Sequence, residues 1–212
     1  ARFAGFPDPW AKADKPPIAV VGSGPTGLIN AYLLAVEGYP VTVFEAFHAL
    51  GGVLRYGIPE FRLPNSLIDD VVAKIKLLGG KFVQNFVVGK TATLQDLRAA
   101  GFWKVFVGTG APRGRDADIP GRKEAAAHIH IGIEWLASVY FGHIDHIGKR
   151  VIVLGGGNTA MDCCRSARRL GGEDVKVIVR SGFDEMKASP WEKEDAMLAR
   201  PRAMNSRSVS ML

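Results

Sequence analysis

Two stretches of this chain, IAVVGSGPTGL at residues 18–28 and VIVLGGGNTAMD at residues 151–162, place an apolar run directly before a glycine cluster and a helix-forming run directly after it. That order is a strand, a tight turn and a helix, and it restricts the fold more than any other feature. In the first stretch Gly22 permits the turn, Gly24 lets the backbone approach a pyrophosphate, and Gly27 lets the helix pack close to the strand. The helix N-terminus then offers free N–H groups and the positive end of its dipole to phosphates. A further apolar run, VTVFEA, ends in Glu45, 23 residues after Gly22 (45 − 22), where a carboxylate can accept hydrogen bonds from ribose hydroxyls. Strand, turn, helix and strand in this order predict a dinucleotide site rather than a bare structural turn.

The second stretch repeats the pattern 133 positions later (Gly155 against Gly22, 155 − 22). Ala160 stands where Gly27 stood and is still small enough for close helix packing. Its following strand, KVIVR, finishes with Arg180 and Ser181 where a ribose-binding acid would be expected. A guanidinium there suits a 2′-phosphate, or stacks over an adenine. Residues 18–46 and 151–180 match element for element, so the chain is expected to be α/β with two Rossmann-like dinucleotide-binding domains.

Between and around these motifs the pattern alternates. Residues 1–17, with Pro7, Pro9, Pro16 and Pro17, read as an extended arm, and Pro25 to Val36 as the first helix. After the glycine- and proline-rich loop GGVLRYGIPEFRLP, Asn65 or Ser66 is expected to cap a helix whose inner side carries Leu67, Ile68, Val71, Val72, Ile75 and Leu78. Gly79 and Gly80 stop it; KFVQNFVV reads as a strand, Thr93 with Asp96 opens a short helix, and WKVFVGTG is another strand. APRGRDADIPGRK is a polar connection, IGIEWLASVYFG has helical spacing, and beyond Pro190 a short helix precedes a serine- and arginine-rich tail with no assignable structure.

Composition removes several function classes. With 212 residues, 47% hydrophobic and 23% charged, the chain can bury a substantial core. The net charge of +6 does not advertise nucleic acid, because basic residues are interspersed with acids. Their densest cluster, Arg165, Arg168 and Arg169, falls in one helical pattern and reads as a solvated helix face that could look toward cofactor phosphates. No run approaches the roughly 18 apolar residues of a membrane span, and Ala1 to Trp10 lacks signal-peptide order, which predicts a cytoplasmic protein. The two cysteines, Cys163 and Cys164, are adjacent on a predicted helix, where successive side chains diverge by about 100°. They form no CxxC pair and fall short of the four thiolates of an iron–sulfur cluster, leaving one as apolar filler and one as a helix-surface thiol. His128, His130, His143 and His146 with Asp145 straddle a predicted helix, so their spacing does not converge on a metal.

GSGPTG, VFEA, GGVLRYGIPEFRLP, GTGAPR, GGGNTAMDCCRSARRLGG and MKASPWE together resemble the two-dinucleotide flavoprotein group that contains the small subunit of bacterial glutamate synthase. Similar modules occur in dihydropyrimidine dehydrogenase and in flavin subunits of NAD(P)-linked, ferredoxin-dependent complexes. The likeness covers about residues 17–195, and LRYGIPEFRLP is its most specific element. The resemblance implies FAD at the first site and NAD(P)(H) at the second, with the NAD(P) domain inserted in the FAD domain. The expected division is 18–115 for the N-terminal part of the FAD-binding domain, 116–195 for the NAD(P)-binding domain and 196–212 for an unassigned tail. By position, Gly22, Gly24, Pro25, Gly27, Glu45, Gly52, Leu54 and Arg55 would contact FAD, Val88 would meet its adenine end, and Thr109 with Gly110 would lie at the flavin-domain crossover. Gly155, Gly157, Asn158, Thr159, Ala160, Arg180 and Ser181 would contact the nicotinamide cofactor.

The implied chemistry is hydride exchange between nicotinamide and flavin, with electrons passed to or from an iron–sulfur partner or larger oxidoreductase subunit. Disulfide reduction is not expected, because Gly51, Gly52, Val53 and Leu54 occupy the place of one family's cysteine pair and no CxxC follows. The chain departs from the resemblance in three ways. It has no upstream cysteine-rich segment, it carries Ser181 where a second basic residue often follows Arg180, and it shows no closing flavin strand with a glycine–aspartate turn. The second departure leaves NAD and NADP both open. The third predicts that the C-terminal part of the FAD domain is missing, and gives the alternative of a truncated, non-catalytic assembly module.

Overall fold

The computed structural model describes residues 14–198 and the backbone of Ser210–Met211. Most of the expected N-terminal arm and C-terminal tail therefore lies outside the described residues. The chain forms two compact units, one from the described residues of Ala1–Arg55 with Glu60–Ala111, the other from those of Tyr56–Pro59 with Pro112–Leu212. No described helix is long and apolar enough to cross a membrane.

The first unit is built on four parallel strands, β1 (Ile18–Val21), β2 (Val41–Phe44), β3 (Lys81–Val83) and β4 (Lys104–Val107), in the order β3-β2-β1-β4. Parallel pairing requires crossovers, and helices supply those between β1 and β2 and between β2 and β3: α1 (Pro25–Val36), then α2 (Val53–Tyr56) and α3 (Asn65–Leu77). A further helix, α4 (Leu94–Ala99), precedes β4. Alternation along β1 decides what covers each face. Val20 joins Leu28, Ala31, Ile68, Val72 and Ile75 of α1 and α3 on one side, and Ala19 and Val21 join Phe44, Phe86, Leu97 and Phe102 on the other. Both faces are thus covered, as the continuous apolar run IAVV requires.

The second unit has the parallel strands β5 (Arg150–Leu154), β6 (Asp174–Ile178) and the two-residue β7 (Ser210–Met211), in the order β5-β6-β7. Helices α5 (Gly132–Tyr140), α6 (Asn158–Arg169) and α7 (Pro190–Leu198) complete it. Trp135, Leu136, Met161, Cys164, Val175, Val177, Met186 and Ala196 form its core, with Val151 and Val153 packed against them. The alternate positions of β5 face outward, Ile152 being 63% and Leu154 58% exposed.

Several expectations give way. KFVQNFVV is not one strand: β3 ends at Val83, and Asn85 takes a left-handed φ of 55° that turns Phe86 into the core, 4.7 Å from the Phe44 ring. Neither Asn65 nor Ser66 caps α3, since Pro64 holds the cap position and Asn65 is already helical. The inner stripe of α3 is only Ile68, Val72 and Ile75; Leu67, Val71 and Leu78 lie on the adjoining, exposed side, because a helix against a sheet buries one i, i+4, i+7 line. GGVLRY is not pure loop but contains the single turn α2. The Thr93–Asp96 capping box is complete, each residue bonding the other's backbone N–H.

The arginine cluster of α6 is a solvated face only at Arg169, which is exposed. Arg165 and Arg168 are buried, because α7 packs over the side of α6 that the repeat alone would leave open. Arg165 pairs with Glu192 at 3.0 Å and Asp195 at 3.0 Å, while Arg168 donates to the Glu173 carbonyl. Nor is either cysteine a surface thiol. Both are buried, and loss of solvation pushes the Cys163 thiol up to about 12 and that of Cys164 to about 11.

Candidate dinucleotide sites

The first glycine turn leaves β1 with Gly22 at φ 101°. A Cβ on Gly22 would meet the Gly108 carbonyl oxygen at 2.5 Å, and one on Gly27 would meet the Gly22 carbonyl oxygen at 1.9 Å. Both glycines are therefore fixed by backbone packing: Gly22 against the end of β4, Gly27 against the turn itself. Gly24 differs, since nothing lies within 4 Å of where its Cβ would be. It is the N-cap of α1, with Pro25 next and no side chain capping the helix. The open backbone and uncapped N–H groups fit a pyrophosphate.

Glu45 follows β2 and is buried at 5% exposure. Its Oε2 accepts from the Ser23 N–H at 2.8 Å and the Ser23 hydroxyl at 2.5 Å, and its Oε1 from the Phe47 N–H at 3.0 Å. The Ser23 oxygen in turn accepts from the Gly51 N–H at 3.0 Å. One hydroxyl thus ties the first turn, the end of β2 and the Gly51–Gly52 loop together. Gly52, at φ 55°, lies so close that its Cβ would be 2.8 Å from Gly24 Cα. A carboxylate held by three donors stays oriented beside the turn and is chemically equipped to accept from a ribose hydroxyl with its remaining lone pairs.

Gly22, Gly24, Gly27, Glu45 and Gly52 therefore come together, as does Thr109, whose Cα would be 3.2 Å from a Gly22 Cβ, with Gly110 adjoining at φ 69°. Leu54, Arg55 and Val88 have packing partners of their own. Leu54 packs against the α1–α3 core, and Val88 bridges to Ala92 beside the Phe86 cluster. Arg55 donates from Nε to the Leu50 carbonyl at 2.5 Å and pairs with Asp69. Sequence reading missed Ser23, Gly51 and Gly108. A serine between the turn glycines was the available signal for the first; the other two are identifiable only once β4 and the loop fold back onto the turn.

The second turn repeats the first with other chemistry. Gly155 has φ 121° and its N–H donates to the Ile178 carbonyl at 2.9 Å, as that of Gly22 donates to Phe44 at 2.8 Å. This equivalence makes Val179, not Arg180, the counterpart of Glu45; Arg180 lies one residue further on and is exposed with Ser181. Gly156 replaces Ser23, and its absent Cβ leaves room for Val179 Cγ1 and Met186 Cγ, at 2.8 and 3.1 Å from that position. Gly157 is open in the manner of Gly24 and is the N-cap of α6, again without a side-chain cap. Thr159 is exposed and Ala160 buried in the first turn of the helix. Asn158 is engaged with the loop after β6: its Oδ1 accepts from the Ser189 N–H at 2.9 Å and its Nδ2 donates to the Ser189 hydroxyl at 3.4 Å. Among the described residues no three His, Cys, Asp or Glu side chains group as metal ligands.

A family model described as pyridine nucleotide-disulphide oxidoreductase matches residues 14–193. The chain is 38% identical over 182 residues to the beta subunit of an NADPH-Fe(3+) oxidoreductase of Geobacter sulfurreducens, covering 84% of this chain and 27% of that protein. It is 35% identical over 187 residues to the small chain of glutamate synthase [NADPH] of Azospirillum brasilense, covering 82% and 38%. Among solved structures, FprA of Mycobacterium tuberculosis in complex with NADPH matches with a TM-score of 0.71 at 21% identity, over 87% of this chain and 48% of that one, which shows a shared fold. The chain thus spans about a quarter to just under half of the length of these proteins. With its parallel sheets and paired glycine turns, the chain belongs to the pyridine nucleotide-disulphide oxidoreductase family of FAD- and NAD(P)-binding oxidoreductases.

Proposed function

We propose that the chain is the dinucleotide-binding part of a flavoprotein oxidoreductase subunit, with FAD on the first turn and NADP(H) or NAD(H) on the second. The observation that carries this is the chemical difference between two turns of one geometry. The first presents the buried Glu45 carboxylate, held by Ser23 and Phe47, to a ribose; the second has apolar Val179 at that place and exposed Arg180 beside it. An acid there favours a free 2′-hydroxyl, and its replacement by an apolar residue next to a cation favours a 2′-phosphate. The names of the relatives, an NADPH-Fe(3+) oxidoreductase beta subunit and a glutamate synthase [NADPH] small chain, support a nicotinamide substrate and a place in a larger assembly.

Within this reading Gly22, Gly24, Pro25 and Gly27 admit and orient the flavin nucleotide's pyrophosphate, Glu45 its ribose, and Gly52 with Thr109 and Gly110 border the same turn. Gly155, Gly157 and Thr159 do so for the nicotinamide nucleotide, and Arg180 with Ser181 receives its adenosine end. A flavin supplies the exchange between hydride transfer and single-electron transfer. Two buried, adjacent cysteines cannot ligate an iron–sulfur cluster, so a cluster that takes or gives electrons is held outside these residues, on a partner or a further segment. On this reading residues 18–115 serve flavin and 116–195 nicotinamide binding, the latter inserted in the former, although the compact units divide at Ala111 and give Tyr56–Pro59 to the second.

The test is flavin retention. Glu45→Ala should lower the fraction of purified protein carrying FAD, measured from the visible absorption relative to protein. Full occupancy in that variant would remove the assignment of Glu45 to the flavin ribose.

A further inference from the structure

Resting on the reading that the first turn holds FAD, we propose that Arg55 acts on the flavin as a positioning residue: braced by Asp69, it holds the Gly51–Gly52 loop against the glycine turn. The opening observation is that this one residue closes the loop on itself with both its backbone and its side chain. The Arg55 N–H donates to the Gly52 carbonyl at 3.0 Å, and Arg55 Nε donates to the Leu50 carbonyl at 2.5 Å. A terminal guanidinium nitrogen pairs with Asp69 on α3. Leu50 is itself fixed, because its side chain is buried in the α1–α3 core. Gly51 lies within this bracket: a Cβ on it would be 3.2 Å from Arg55 Cβ, 3.6 Å from Arg55 Nε and 2.9 Å from Ile68 Cγ2.

The other side of the loop meets the turn. The Gly51 N–H donates to the Ser23 hydroxyl, and a Cβ on Gly52 would stand 2.8 Å from Gly24 Cα, at the uncapped start of α1. The loop is thus clamped from two directions, by Ser23 and Gly24 on one side and by Arg55 and Ile68 on the other. Gly51 and Gly52 have φ of 120° and 55°. Glycine permits that conformation without enforcing it, so the order must come from neighbours. The guanidinium supplies it, a planar fork whose nitrogens bond two fixed acceptors at once. The chain's course explains the need. Arg55 is the last residue of the first unit before the chain enters the second at Tyr56, whose ring stacks on that of Phe141 in the second unit with centroids 6.0 Å apart. An anchored Arg55 keeps displacements of residues 56–59 from reaching Gly51 and Gly52. Its side chain is only 12% exposed and is engaged within the first unit, so its influence on the flavin runs through the loop and not through direct charge on the phosphates.

The experiment is fluorescence titration of the whole, flavin-stripped chain with FAD, beside urea unfolding of each flavin-free variant. Arg55→Met should weaken FAD binding by about tenfold, the size of a lost charge-assisted bond. Asp69→Asn should weaken it by about threefold, as suits one exposed ion pair, and because Asp69 is 64% exposed this variant keeps the fold. Arg55→Lys should not restore affinity, since an ammonium cannot bond Leu50 and Asp69 in the guanidinium's geometry. The double variant should lose no more than Arg55→Met alone. Two results overturn the positioning role in favour of a direct charge contact: full affinity in Arg55→Lys, or affinity that is unchanged or raised in Asp69→Asn. Lowered unfolding midpoints with FAD affinity intact overturn it in favour of a brace for the fold alone. Each of these leaves the flavin assignment of the first turn standing. A parent chain that takes up no FAD overturns that assignment and this proposal with it.

Discussion

Ser23 is fully buried, and its hydroxyl donates to Glu45 while accepting from the Gly51 N–H. Ser23→Ala leaves Gly51 with a buried, unsatisfied donor and removes one of three bonds that orient Glu45. The expected cost is about 1–3 kcal/mol in urea unfolding. Wild-type stability in that variant would show that the hydroxyl does not tie the two loops together. The glycines and Glu45 were legible in sequence because spacing alone specifies a strand–turn–helix. The role of Ser23 was not, because its second partner, Gly51, sits 28 residues away (51 − 23) on a loop whose return no local pattern encodes. The same limit misplaced Arg180 by one position, since the end of a strand is set by its ladder with the neighbour. The cysteines make a second prediction at this scale. Burial raises both thiols to about 11 or above, well over their usual value, so at pH 8 neither supplies much thiolate. A disulfide-exchange dye should react slowly with the native chain and count two thiols after denaturation; prompt native reaction would contradict their burial.

The helix α6 shows what an element's own sequence conceals. Its NTAMDCCRSARR run has basic residues on one side, which suits a solvated face, yet of these only Arg169 is exposed, and α7 supplies Glu192 and Asp195 to the buried Arg165. Helical periodicity records which residues share a side and not what later packs against it. Arg165→Ala should therefore destabilise the second unit by about 3 kcal/mol, because it takes the guanidinium from a carboxylate, Glu192, that is only 4% exposed. Chemical unfolding followed by Trp135 and Trp191 fluorescence measures this. A loss below about 0.5 kcal/mol, typical of a surface ion pair, would restore the solvated face. By contrast the α4 start was fully legible, since a capping box is satisfied within four residues and needs nothing from the rest of the fold. The α3 stripe was half legible: its period was right and its width too generous, because only the line facing β1 and β2 is buried.

At the scale of the whole molecule the internal repeat carried the fold class. Two glycine turns 133 residues apart specify two parallel sheets, and the chain forms one in each compact unit. The second unit also includes Tyr56–Pro59, a short piece of the LRYGIPEFRLP loop that sequence order assigns to the first, and no linear division of the chain could reveal that. Family membership rests on residues 14–193, and the function on the unlike chemistry of two like turns. The most direct test is anaerobic titration of the flavin-loaded chain with NADPH and NADH, followed by visible absorption. The flavin bands should bleach on adding nucleotide, with NADPH the better reductant. A chain that takes up no flavin, or one whose bands neither nucleotide changes, would contradict this function.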